Sequence, residues 1–166
     1  MHKDTKLEEL YEKLAHKTKE LYSQSSEKTV ASLERAIEKS REGLEKAGEL
    51  TRQEGDKLKS YLRRDLEQAA SRIETVGEHA KEQLEPKIKK AEEGFLNLTY
   101  HLAHGASDVF GRLAEWADSS AAYHTGQITS PGSLQCRHCD KTMNFKKSGN
   151  IPPCPSCHKT EFRRVS

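Results

Sequence analysis

The chain has 166 residues, 33% hydrophobic, 33% charged and 6% aromatic, a balance that disfavours a thick globular core and suits long amphipathic helices. Its mean hydropathy of −0.91, with no apolar run of about 18 residues, excludes a membrane-spanning helix. The net charge of +2 is unevenly spread: residues 134–166 carry seven basic and two acidic residues, or +5, against −3 over residues 1–133.

The first segment, MHKDTKLEEL, is charged throughout and lacks the apolar stretch of a secretory signal, so a cytoplasmic setting is expected. From about Thr5 to Tyr22, Leu7, Leu10, Tyr11, Leu14, Leu21 and Tyr22 recur at three- and four-residue steps, which places them on one helical stripe. The SQSSE segment interrupts it. A second stripe, Val30, Leu33, Ile37, Leu44 and Ala47, approaches a heptad with Ser40 or Arg41 in the missing place. Gly48 is suited to a left-handed helix stop. Thr51 and Glu54 then form a capping-box pattern, so KAGELTRQE reads as a sharp turn between two helices.

A third stripe, Leu58, Leu62, Leu66, Ala69, Ile73 and Val76, extends towards Leu84 as a helix of about 33 residues, roughly 50 Å long at the α-helical rise. Pro86 marks its end or a kink. The fourth stripe is Ile88, Ala91, Phe95, Leu98, Leu102, Ala106, Val109, Leu113 and Ala117. Antiparallel neighbours bury such stripes economically, within one chain or completed by a second copy in a homodimer. SSAAYHTGQITSPGS follows and reads as a linker or irregular collar. The expected fold is mainly α: an elongated antiparallel helical hairpin or slender bundle, coiled-coil-like over residues 1–118, then a linker over 119–133, then a small β module over 134–166.

That module contains all four cysteines, as Cys136-x2-Cys139, fourteen residues, and Cys154-x2-Cys157. Two chelating pairs at this spacing suit one tetrahedral Zn2+ in a zinc ribbon, although the gap falls just short of the usual roughly fifteen to twenty residues. The following residues, Asp140 and His158, tolerate the left-handed backbone that such turns require. A Ser-Gly-Asn turn at 148–150 suggests a short hairpin between the pairs. Four protein ligands leave no open position for an activated water, so the metal is read as structural. Iron in the same cage, as in a rubredoxin-like electron carrier, is the rival reading, with a dithiol redox pair a weaker one.

Lys146, Lys147, Arg163 and Arg164 are read either as balancing the charge of the centre or as a contact face for nucleic acid or another partner, with Phe145 and Phe162 for stacking. His101, His104 and Asp108 share a helical face that could hold a second metal, though histidines so placed on a polar face read as solvated. Arg63, Arg64 and Asp65 read as a solvated helix face, Trp116 as core, and Tyr123 and His124 as packing residues. The chain has no Walker loop, no HExxH, no G-x-S-x-G and no Glu-x-x-His diiron pattern. No catalytic constellation is found.

GELTRQEGDKLKSYLRRDLEQ (48–68), YHTGQITSPGSLQC (123–136) and CPSCHKTEFRR (154–164) together resemble the YbeL-like family of bacterial zinc ribbon-containing proteins. The resemblance implies a helical region joined to a C-terminal ribbon, zinc ligands at Cys136, Cys139, Cys154 and Cys157, and a bacterial, cytoplasmic setting. It implies no activity. His158 stands where the family usually has glycine. The function expected is therefore non-enzymatic: a zinc-binding adaptor docking on a protein assembly, by analogy one of the transcription machinery. The alternatives are a nucleic-acid-binding ribbon and an iron electron-transfer or redox protein.

Overall fold

Two capping boxes set where the helices begin. The Thr29 amide donates to Ser32 Oγ at 3.0 Å while the Ser32 amide donates to Thr29 Oγ1 at 3.1 Å. Thr51 and Glu54 repeat the exchange at 2.9 and 3.2 Å, as the sequence pattern suggests. Before that second box, Gly48 takes φ +73°, and the Glu49 amide closes back on the Leu44 carbonyl at 3.0 Å. That geometry satisfies carbonyls that the helix end leaves without partners.

The computed structural model describes residues 2–76, 94–104, 107–117 and 121–165. Its helices are α1 (His2–Gln24), α2 (Val30–Lys46), α3 (Arg52–Val76), α4 (Gly94–His104) and α5 (Ser107–Trp116). Leu84, Pro86, Ile88, Ala91 and Ala106 lie outside the described residues, as do residue 118 and residues 119–120 of the expected linker.

Cross-helix pairs fix the directions of packing. Lys13 bonds Glu49, and Thr18 bonds Ser40 at 3.4 Å, so α2 returns along α1. Glu34–Arg63, Glu38–Lys59 at 2.6 Å and Arg41–Asp56 at 3.9 Å form an antiparallel ladder between α2 and α3. By contrast, α4 runs in the same sense as α1: Tyr11 stacks on Phe95 and Tyr22 meets His101 edge-on. Gly94 permits that approach. A Cβ there would lie 2.2 Å from the Glu12 carbonyl oxygen and 2.8 Å from the His16 amide nitrogen, both backbone atoms. Glu12 also accepts from the Phe95 amide at 3.0 Å, placing a carboxylate at the positive end of α4. α5 packs on α3.

The four predicted stripes meet in one core, in which Leu14, Leu33, Ile37, Leu44, Leu58, Leu62, Leu66, Leu98, Leu102 and Leu113 are all buried. Ser40 and Arg41 both fill the gap in the second stripe, and both are buried. Three expected core positions turn outward. Leu21 is 36% exposed because its neighbour Tyr22 takes the inward direction, one residue further round the helix. Ala47, the C-cap of α2, is exposed. Trp116, at the end of α5, is 48% exposed, with the Arg63 guanidinium 5.3 Å from its ring. Among the described residues no helix is long and apolar enough to cross a membrane.

The β region begins earlier than expected and is not tethered by a free linker. Its strands are β1 (Tyr123–His124), β2 (Ile128–Thr129), β3 (Gly132–Cys136), β4 (Thr142–Phe145), β5 (Gly149–Asn150) and β6 (Glu161–Arg164). An antiparallel sheet has the order β1-β6-β3-β4, and β2 pairs separately with β5. Residues 119–133, read as a linker, thus supply β1, β2 and the start of β3. The hairpin expected within 141–153 does not close on itself: β4 pairs with β3 across the first cysteine turn, and β5 with β2. Short strands depend on distant partners, which local pattern does not reveal.

Two effects should be measurable. Gly94→Ala should destabilise the protein by about 1–3 kcal/mol in chemical denaturation, because the backbone clash outweighs the gain of about 0.4–1 kcal/mol from a stiffer unfolded chain. Glu38 is held down to about 2 by hydrogen bonds from Arg41 and then Lys59. A depressed carboxyl stabilises the fold above its unfolded value near 4.5, and that contribution fades as pH falls towards about 2. Glu38→Gln should therefore flatten this part of the acid limb in thermal melts.

Candidate metal centre

Each cysteine pair sits on the same backbone construction. In the first, the Cys136 amide donates to the Lys141 carbonyl at 2.8 Å and the Asp140 amide to the Cys136 carbonyl at 3.1 Å. In the second, Cys154 bonds Lys159, and His158 bonds Cys154, each at 2.9 Å. Asp140 and His158 adopt φ +60° and +61°, the left-handed turn expected of both, with histidine serving where glycine is usual. The turns therefore present their thiols towards a common point.

Cys136 Sγ lies 3.5 Å from Cys157 Sγ, and Cys139 Sγ lies 3.5 Å from Cys154 Sγ. All four sulfurs fall within 4.8 Å of one another, and none is in a disulfide. A tetrahedron with metal–sulfur bonds of about 2.3 Å has edges of roughly 3.8 Å, so the donor set fits one tetrahedral ion. The His138 amide points at Cys136 Sγ at 3.4 Å. Cys136 and Cys154 are buried and Cys139 is exposed, which puts the centre at the outer end of the ribbon.

Proton binding follows the same geometry. The Cys157 amide, aided by that of Ser156 and the thiols of Cys139 and Cys157, lowers Cys154 to about 6. The Lys159 amide acts in the same direction on Cys157, but burial and the neighbouring Cys136, Cys139 and Cys154 sulfurs outweigh it and push Cys157 up to about 12. Several thiolates this close hold a proton among them until a cation replaces it. With four protein donors the coordination shell is complete, which suits a structural ion rather than one that activates water.

The other predicted site residues are dispersed by the two-residue period of the strands. Arg163 is exposed and donates to Gln135 Oε1 from Nε at 3.0 Å and from its terminal nitrogen at 2.6 Å. Arg164, next along β6, points the opposite way and is 8% exposed, so it is not part of an outer contact face. Phe162 is fully buried in the ribbon core and Phe145 half-buried against it, as expected of core residues and contrary to the alternative of base stacking. Lys146 and Lys147 are exposed beyond β4, with Lys147 beside Glu8, Glu9 and Glu12 of α1. His101 packs on Tyr22, His104 stacks on Tyr100 at 4.0 Å, and Asp108 belongs to α5. They form no ligand group; among the described residues only the cysteine quartet is positioned to hold a metal ion.

Asp65 is the buried polar hub that the sequence reading places on the surface. Far from being solvated, it is 1% exposed and accepts from Tyr11 Oη at 2.6 Å, Tyr123 Oη at 3.2 Å, the Ser130 amide at 3.0 Å and Arg64 Nε at 3.1 Å. Arg164 lies 3.8 Å away and donates to Tyr123 Oη at 3.0 Å and Thr129 Oγ1 at 2.6 Å. Arg64 covers the Tyr123 ring at 3.9 Å and bonds Gln127 and the Ile128 carbonyl. Burial, then the charge of Asp65, raises Tyr123 to about 12 and lifts Tyr11 well above the usual phenol range. One signal was present: Asp65 falls seven residues after Leu58 and three after Leu62, inside the apolar stripe.

Metal titration provides the check. Co2+ should bind one per chain with a tetrathiolate visible spectrum; Cys154→Ser should abolish that spectrum. Affinity should fall with pH throughout the range below about 12, where Cys157 must give up a proton, and more steeply below about 6, where Cys154 must as well.

No curated protein and no solved structure matches the chain. A family model described as a zinc-ribbon containing domain matches residues 20–166, taking in the helices from the end of α1 together with the cysteine module. The chain belongs to that zinc-ribbon family.

Proposed function

We propose that the protein is a non-enzymatic interaction protein in which one structural Zn2+, held by Cys136, Cys139, Cys154 and Cys157, shapes a ribbon that docks on a protein partner. The observation that carries this reading is the four-sulfur cluster, whose donors fill a tetrahedral shell. Zinc is favoured over iron by the family to which the chain belongs.

The two faces of the sheet support a docking role. Leu134, Cys136, Phe162, Arg164 and Tyr123 are buried on the inner face. On the outer face, His124, Thr142, Asn144 and Arg163 are exposed. β4 is an edge of the sheet, and Lys146 directly follows it. A polar sheet face with an unpaired edge and positive charge at its margin suits a partner with an acidic surface. Nucleic acid is the second reading, supported by the exposed Lys146, Lys147 and Arg163 and weakened by the burial of Arg164 and Phe162.

The experiment compares wild type with Lys146→Glu/Arg163→Glu in pull-downs from bacterial lysate, with and without nuclease, after confirming equal zinc content. A protein partner that survives nuclease with wild type and is lost with the variant is the expected outcome. Retention that vanishes on nuclease treatment would favour the nucleic-acid reading, and equal retention by both proteins would remove this face from the interaction.

A further inference from the structure

Tyr123 belongs to two environments at once. Its ring lies in the small ribbon core with Leu134, Cys136, Cys154 and Phe162, while its hydroxyl reaches Asp65 on α3. Arg164 is tied to the same two places. It ends β6, the strand that follows the second cysteine turn, in which Phe162 stands opposite Cys136 of β3. The backbone organised by the cysteine centre is therefore the backbone that delivers the Arg164 guanidinium to Asp65.

Further contacts join these elements. The Arg164 carbonyl accepts from Arg72 of α3 at 2.7 Å. Ser148 donates to Glu12 of α1, and the Asn150 amide donates to Glu8 at 2.9 Å. Tyr11 extends the Asp65 hub into α1. Three of the five Asp65 contacts, those with Tyr123, Ser130 and Arg164, come from the β region; if that region loosens, Asp65 keeps only Tyr11 and Arg64 of the five. A buried carboxylate is tolerated only while its donors are in place.

We propose that the contact of Tyr123 and Arg164 with Asp65 couples metal occupancy of the cysteine site to the packing of α1 against α3, so that the helical body registers whether the ribbon is loaded. The inference rests on metal binding by the four cysteines. Linkage makes it reciprocal: the factor by which metal binding favours the docked arrangement is the factor by which that arrangement favours metal binding.

The test uses the full chain loaded with Co2+ as probe, compared with the same protein after chelation, read by hydrogen exchange and by metal titration. Chelation should speed amide exchange at least about tenfold in peptides containing Tyr11–Leu14 and Leu62–Leu66, as well as in the ribbon. Tyr123→Phe, which keeps the ring and removes the hydroxyl, should raise the metal dissociation constant about fivefold to tenfold although no cysteine is touched. Should Asp65→Asn/Arg164→Met fold, its helices should exchange at a rate independent of the metal. Ribbon exchange that rises while α1 and α3 keep their wild-type rates would overturn the coupling, as would an unchanged dissociation constant in Tyr123→Phe. Absence of a tetrathiolate Co2+ spectrum in wild type would remove the metal reading and the coupling together, so the two failures are distinguishable.

Discussion

The Asp65 carboxylate occupies a place on α3 where an apolar side chain would simply continue the stripe of Leu58, Leu62 and Leu66. Because it is buried, the surrounding structure must supply donors, and these come from α1, from α3 itself and from the β region. Truncating one partner of such a pair typically costs about 3–5 kcal/mol, whereas a well-packed apolar replacement of the whole cluster can be nearly neutral. A network of this kind is weak evidence of net stability, and its demand for particular donors bears on how the ribbon is seated. It favours one seating of the ribbon, because a shift of a single residue along β6 would turn Phe162 out of the ribbon core and bring Glu161 into its place.

The metal centre and this network divide the work of holding a very small β module. Its own core is built on Tyr123, Leu134, Cys136, Ile151, Cys154 and Phe162, too little apolar surface to order so many short strands unaided. The four-cysteine site lies at the outer end, where an ion bound by four thiolates would add its binding energy, an apparent figure of about 10–16 kcal/mol being typical of small zinc modules. The inner end leans on the helices, and Ile128 of β2 packs in the helical core. The molecule is better described as a ribbon built into a helical body than as two modules on a linker.

Much of the helical half was legible because its signals are local. Apolar residues three and four apart identified the buried faces, and Gly48, Thr51 and Glu54 identified a turn whose bonds all lie within a few residues. The same holds for Cys136–Asp140 and Cys154–His158, where spacing and the tolerance of Asp and His for a left-handed backbone sufficed. The β1 and β2 strands were not legible. Tyr123–His124 and Ile128–Thr129 are two-residue strands, each paired with a segment more than twenty residues away, and their Gly and Ser neighbours resemble those of any loop.

The sequence by itself determined the helix faces, the α2–α3 turn and the four-sulfur site, because each depends on periodicity or spacing over one short stretch of backbone. Tertiary structure alone decided which charged residues are buried. Arg163 and Arg164 are chemically equivalent in the sequence, and Asp65 differs from the other acidic residues of α3 only in falling inside the apolar stripe. Their fates diverge because burying a charge is stable only where partners from elsewhere in the chain converge on it. Tyr11 reaches Asp65 across 54 positions of sequence and Tyr123 across 58, distances over which local pattern carries no information.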